Sequence, residues 1–408
     1  MLRATRRLDA ARIYLLFVGA DGLIRSLMFT FLSVYFVIRV GMDPLQLVLV
    51  GTVVEGTIVL FEVPTGVLAD VYSRRLSIVV GQMLFGLAYL VQGAVPVFIP
   101  IILAEMVRGV GETFLSGAKQ AWLAGEVGTE RLPAVFLRGV QVRRSASLVG
   151  IPISIGLANI DLQLPIVIGG LLSLVAAGGL VMWMPERGFN PLPRPDRAAF
   201  LATARTGLRA VRGQPILLRL LALAGILGAA SEGFDRLWEA HILTNFSLPA
   251  IGPLAPVTWF GVIDAGALVI SIGAIQVVRR LSMHSDPVVA RVLIVAHALR
   301  VLSIVALGLT GELGVAILAR WSAAGLSSIS APLLDTWLAR NTPSEVRATV
   351  FSAISQGDAL GQVLGGPAIG AIGSWVSLRA AMLASAVLLL PGLLVINRAG
   401  RVRPVVRV

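Results

Sequence analysis

The chain has 408 residues, of which 56% are apolar and only 14% charged, and its mean hydropathy is +0.87. A soluble domain carries about one charged residue in four, so this composition excludes a water-soluble globular protein and calls for an all-α, polytopic membrane protein. The net charge of +12 comes almost wholly from arginine, Lys119 being the only lysine. Their placement along the chain, described below, assigns these charges to membrane topology and not to a nucleic-acid partner. There is no cysteine, so disulfides and thiolate metal sites are excluded.

The length accommodates about twelve spans of roughly 20 residues with short loops. In chain order the apolar runs predict spans near 13–37, 46–69, 76–95, 98–124, 140–160 and 163–184, and then near 215–244, 257–278, 288–309, 312–338, 348–372 and 376–396. The basic start followed by an apolar run imitates a signal peptide. Asp21 and Arg25 interrupt that run and no small-x-small cleavage site follows, so it is read as the first span. The stretch 185–214 holds Pro191, Pro193, Pro195 and six arginines. It predicts a cytoplasmic linker, with an amphipathic helix around 198–212, between six-helix bundles at 1–184 and 215–408. With the N-terminus inside, most basic residues fall in inner loops, tails or inner helix ends, and Arg39 and Arg379 alone fall in outer loops. The positive-inside rule then places both termini in the cytoplasm.

The two halves repeat. Ile102-Leu103-Ala104 returns as Ile317-Leu318-Ala319, and Trp122-Leu123-Ala124 as Trp337-Leu338-Ala339, each 215 residues later. Phe136, Gln141, Gly150 and Pro152 return at the same offset as Phe351, Gln356, Gly365 and Pro367. Asp21-Gly22-x-x-Arg25 matches Glu232-Gly233-x-x-Arg236 at an offset of 211. Six spans separate the copies, so the bundles are pseudo-symmetric and share one orientation.

Charges inside spans cost several kcal/mol each, so they face protein or water. In the fourth span Glu105, Arg108 and Glu112 stand at i, i+3 and i+7 and share one helix face. They serve either proton transfer or a self-neutralised helix contact. Asp21/Arg25 and Glu232/Arg236 are i, i+4 acid–base pairs, and the second copy adds Asp235, Trp238, Glu239 and His241. Glu55 and Asp264 occupy near-equivalent places in spans two and eight. Carboxylates of this kind suit proton carriage or a cationic substrate, and a structural ion pair is an equal reading for each. Glu105 aligns with Arg320 and Arg143 with Asp358 in the repeat. This allows pairing across the halves, against the alternative of independent pairing within each half. Gly150-Ile-Pro152, and the richer Gly365-Gly-Pro367 with Gly361 and Gly370, read as packing and hinge positions. His241, His284 and His297 lack ligand spacing, and there is no phosphate loop, nucleophile constellation or metal motif. A non-enzyme without cofactor is expected.

The segment Gly66-Val-Leu-Ala-Asp-Val-Tyr-Ser-Arg-Arg75 is a charged break between spans two and three. Its G-x-L-A-D-x-x-x-R-R pattern resembles the loop between the second and third helices of major facilitator superfamily transporters, whose two parallel repeats hold substrate near the membrane midplane. Val71 and Ser73 depart from the fuller family pattern, which has a basic residue and a glycine there. Gly66 is expected to allow close helix approach. The resemblance implies a cytoplasmic gate in which Asp70 sits near helix eleven, close to Thr349 or Ser352, and Arg74 pairs with Glu126; Arg75 belongs to the same motif. Arg108-Gly-Val-Gly111 resembles the arginine–glycine motif of helix four in proton-coupled members. Phe61-Glu-Val-Pro-Thr-Gly66 is similar to bacterial multidrug and tetracycline-type members. Together these imply a monomeric, multi-pass inner-membrane transporter working by alternating access. Proton-coupled export of small amphipathic molecules is the leading expectation, an importer of a small organic solute the alternative within transport, and a non-transporting sensor or scaffold the alternative outside it.

Overall fold

The computed structural model describes residues 9–128, 130–191, 213–280, 285–342 and 346–401. Twelve long helices follow one another, and no β-sheet occurs among the described residues. They are α1 (Ala10–Tyr35), α2 (Pro44–Val71), α3 (Arg74–Ala94), α4 (Phe98–Val127), α5 (Leu132–Ala158) and α6 (Leu164–Trp183), then α7 (Pro215–Asn245), α8 (Thr258–Arg279), α9 (Asp286–Leu309), α10 (Leu313–Arg340), α11 (Arg347–Trp375) and α12 (Leu378–Gly400). The shortest, α6, has 20 residues, which at about 1.5 Å per residue matches a bilayer's hydrocarbon thickness. Nine of the twelve are long and apolar enough to cross a membrane by length and composition. The other three are α4, α5 and α11. The first carries Glu105, Arg108 and Glu112, the second Arg138, Arg143 and Arg144, and the third Asp358 among glycines and serines.

One boundary departs from the hydropathy reading. Helix α5 starts at Leu132, eight residues before the expected 140, with Pro133 in its first turn, where a missing N–H costs nothing. Its early turns expose Arg138 and Arg143. They read as loop because hydropathy scores charge, while the backbone continues helical to where those side chains meet water. Most of the expected linker, with Pro193, Pro195 and the helix around 198–212, lies outside the described residues, as does His284.

The chain divides into two compact units. Unit 1 gathers the described residues within Met1–Met42, Gly56–Pro195 and Ala250–Gly261, and unit 2 those within Asp43–Glu55, Asp196–Pro249 and Val262–Val408. The opening turns of α2, including Glu55, therefore group with unit 2.

Within unit 1, α1 packs on α5 and α6, and α3 packs on α4 and α6. Within unit 2, α7 packs on α11 and α12, and α9 packs on α10 and α12. Each of these contacts has its counterpart six helices on, so the repeat extends from sequence to packing. A core cluster of unit 1 includes Tyr14, Phe17, Ile78, Leu115 and Trp122, and one of unit 2 includes Leu217, Leu220, Leu293, Trp337 and Val350. Trp122 and Trp337, 215 residues apart, are both buried. Outward faces carry Leu60, Val175, Leu302 and Leu364, each more than half exposed, as a lipid-facing surface requires.

Small residues set the closeness of approach. A methyl group at Gly22 would meet the Arg143 carbonyl at 2.4 Å, and one at Gly228 would meet the Asp358 carbonyl at 2.0 Å. Arg143 and Asp358 are repeat-related, so the α1–α5 and α7–α11 crossings use the same device.

Candidate functional site

The charged residues of unit 1 form two networks within its spans. In the first, Arg25 donates from Nε to Asp21 at 2.7 Å and from a terminal nitrogen to Glu112 at 2.8 Å. One guanidinium thus joins two carboxylates, one on its own helix and one on α4. It lies over the Phe85 ring at 4.5 Å, an arrangement that retains a cation in an apolar setting. Arg143 reaches the other side of Asp21 at 3.4 Å. The Asp21 side chain is 5% exposed, while those of Glu112 and Arg143 are 31% and 48% exposed, so the network is open at both of these ends.

In the second network, Arg108 donates to Glu105 at 2.6 Å. Both side chains are buried. The i, i+3, i+7 face is therefore split: Arg108 is neutralised by Glu105, while Glu112 is held by Arg25. The buried Tyr89 hydroxyl, the Gln92 amide and Oε1 of Glu105 have no hydrogen-bond partner among the described residues.

The break between α2 and α3 departs from the expected pairing. Arg74 binds Asp70, at 2.9 and 3.1 Å, and the Ala121 carbonyl at 3.2 Å, in place of Glu126. Glu126 instead accepts from the backbone N–H groups of Arg187 and Gly188, the latter at 2.7 Å. The reason is reach. Asp70 is four residues before Arg74, just across the short break between α2 and α3, whereas the Glu126 carboxylate is drawn to exposed backbone donors past α6. Gly66 also differs from expectation, since a methyl group there would meet nothing within 4 Å and close approach does not require it.

Glu186, absent from the sequence-derived candidates, holds this loop together. Its carboxylate accepts from the Ser73 hydroxyl at 2.7 Å and from the Arg75 N–H at 2.9 Å. The Arg75 guanidinium donates to the Val181 carbonyl, and the Trp122 indole donates to the Pro185 carbonyl at 2.7 Å. Ser73, which breaks the family pattern, also caps α3 by accepting from the Leu76 N–H. The available signal was an acid directly after the sixth apolar run, in a stretch otherwise rich in arginine.

In unit 2, Arg236 binds Glu232 at 2.9 Å. Gly51 of α2 makes room for this pair, because a methyl group there would overlap Glu232 Oε1 and Arg236 Nε. Asp235 is exposed, and Glu55 is half-buried on α2. Asp264 on α8 faces Arg320 of α10, which lies over the Trp238 ring at 4.6 Å and the Phe234 ring at 6.0 Å. Glu239 is buried.

The four repeat-related charges each have a partner within their own unit. Glu105 binds Arg108 and Arg143 binds Asp21 in unit 1. Arg320 stacks on Trp238, and Asp358 accepts from Gln362, in unit 2.

His241 and His297 bond the carbonyls of Leu307 and Leu389 on neighbouring helices, which gives them a packing role. Among the described residues no cluster of His, Asp and Glu suits a metal ion.

No family model matches the chain. The uncharacterized MFS-type transporter YxaM of Bacillus subtilis (strain 168) is 22% identical over 386 residues, covering 93% of each chain. Solved structures are similar over nearly the whole length. The nucleoside transporter NupG aligns with a TM-score of 0.76 at 13% identity, covering 97% of this chain and all of that one. A bacterial homolog of the human lysosomal transporter Spinster, inward-facing and occupied, aligns with a TM-score of 0.75 at 13% identity, covering 96% of each chain. A POT family transporter in complex with a thioalcohol-conjugated peptide aligns with a TM-score of 0.73 at 13% identity, covering 95% of each. The chain has the fold of major facilitator superfamily transporters.

Proposed function

We propose that this chain is a secondary active transporter that works by alternating access of its two six-helix halves, 1–184 and 215–408, joined by the 185–214 linker, and that it exports small amphipathic molecules in exchange for protons. Support for transport comes from the fold and from the MFS-type relative. Support for proton coupling rests on one observation, the sharing of Arg25 between Asp21 and Glu112. A proton arriving at the more exposed Glu112 cancels its charge and loosens the α1–α4 bridge, while Arg25 stays neutralised by Asp21. Breaking one arm of a buried ion network shifts energies by several kcal/mol, enough to bias a conformational equilibrium. The alternative carriers Glu232 and Asp264 act in unit 2 on the same principle, with Glu55 of α2 grouped in that unit. Asp70, Arg74, Arg75 and Glu126, with Glu186, serve as the cytoplasmic gate element of unit 1.

The test is flux of a panel of labelled compounds into proteoliposomes of the purified protein, with and without an imposed pH gradient. Gradient-dependent accumulation, with the sign expected of exchange, supports the proposal. Co-directional movement identifies an importer, and gradient-independent flux a facilitator. A folded protein that moves none of the panel fits a sensor or scaffold.

A further inference from the structure

The charges of unit 2 do not close on themselves as those of unit 1 do. Arg25 and Arg108 each hold a carboxylate at hydrogen-bond distance. Among the described residues, Glu239, Asp264, Arg300 and Arg320 enter no ion pair, although all four lie on spanning helices. Each of these arginines lies within electrostatic reach of acids: Arg300 of Asp235 and Asp358, and Arg320 of Glu239 and Asp264. Arg320 satisfies itself on the Trp238 and Phe234 rings, and its Nε is buried without a partner. Glu239 is 8% exposed, and its Oε2 is likewise buried without a partner.

This arrangement is built and not accidental. The Trp321 indole donates to the Ile263 carbonyl at 2.8 Å, and Gly266 leaves room for the ring, since a methyl group there would lie 2.3 Å from it. The bond fixes the register of α8 against α10 and sets Asp264 beside Arg320, the neighbours in sequence of Ile263 and Trp321. On α7, Phe234 and Trp238 stand one turn apart and hold the guanidinium by their π faces. Glu239 and Asp264 then share Arg320, while Arg300 lies within reach of Asp235 and Asp358, so the two acids have between them one arginine that is itself engaged with aromatic rings.

We propose that unit 2 carries a subsite for an organic cation, in which Glu239 and Asp264 receive the positive group and Phe234, Trp238 and Trp321 wall in its apolar body. The inference rests on the transport reading and names the class of its cargo. A hard inorganic cation requires a shell of six or more oxygen ligands. Here two carboxylates stand among aromatic rings, a setting that selects a soft, substituted cation.

The test is equilibrium binding of radiolabelled tetraphenylphosphonium to the purified full chain in detergent, with binding of tetraphenylborate, matched in size and opposite in charge, measured in separate samples. Saturable binding of the phosphonium, and none of the borate, is expected. Glu239→Gln and Asp264→Asn each weaken it by about 30-fold or more, as removal of a buried charge partner does. Glu239→Asp keeps the charge and retains binding, and Glu312→Gln, in an exposed turn, leaves it unchanged. Monodisperse elution and an unaltered unfolding temperature certify each variant as folded. No saturable binding by the folded wild type, preference for the borate, or unchanged affinity in both neutral variants overturns the proposal. Binding is read without vesicle or gradient. A protein that binds the cation but moves nothing defeats the transport reading and leaves the subsite standing, and flux without cation binding does the reverse.

Discussion

Arg25 and Arg108 show why intramembrane charges of one type differ in consequence. Arg108 and Glu105 are three residues apart and seal each other in a buried pair. Arg108→Leu strands a buried carboxylate and is expected to destabilise the protein by about 3–5 kcal/mol. The double variant Glu105→Gln with Arg108→Leu recovers most of that loss, as measured by thermal unfolding in detergent; a double variant no more stable than the single one contradicts the pairing. Arg25 reaches to Glu112, 87 positions away. The i, i+4 pairs Asp21/Arg25 and Glu232/Arg236 were legible in the sequence because helix geometry brings such residues together. The Arg25–Glu112 bridge was not, because a bond between helices depends on rotation and tilt that spacing does not encode. The same holds for Glu126, whose partners are backbone groups and not the arginine that its charge suggested.

Helices were read from hydropathy to within a few residues, except where charge and helix coincide, as at the start of α5. Their packing follows from small residues whose significance appears only in three dimensions. A methyl group at Gly361 would approach the Gly225 carbonyl to 2.1 Å, whereas one at Gly117 meets nothing within 4 Å. Gly361→Ala is expected to cost about 1–3 kcal/mol through forced separation of α7 and α11, and Gly117→Ala to be neutral or slightly stabilising. Equal unfolding temperatures for the two variants would count against this account of the crossing. At the end of α6, the Glu186 carboxylate ties residues 185–188 to the start of α3. Glu186→Ala is expected to speed tryptic cleavage after Arg74, Arg75 or Arg187, with little change in the rest of the digest. An unchanged cleavage rate there would deny Glu186 its holding role.

For the whole molecule, the twelve-helix, two-bundle architecture was legible because the repeat is written at fixed offsets and the helix contacts of one unit return six helices later in the other. Cargo was not legible. Two of the solved structures similar to this chain are a nucleoside transporter and a POT family transporter in complex with a thioalcohol-conjugated peptide, and one fold supports both. The charges differ between the two units. Unit 1 holds Arg25 and Arg108 in ion pairs with carboxylates, whereas Glu239 and Asp264 of unit 2 enter no ion pair among the described residues. In the proposed cycle a proton on Glu112 drives the conformational change. This is tested by comparing gradient-driven accumulation with gradient-free exchange of the same labelled substrate in proteoliposomes of wild type and Glu112→Gln. Glu112→Gln is expected to lose accumulation by about tenfold or more while keeping exchange near the wild-type rate. Accumulation at the wild-type level in Glu112→Gln would contradict it.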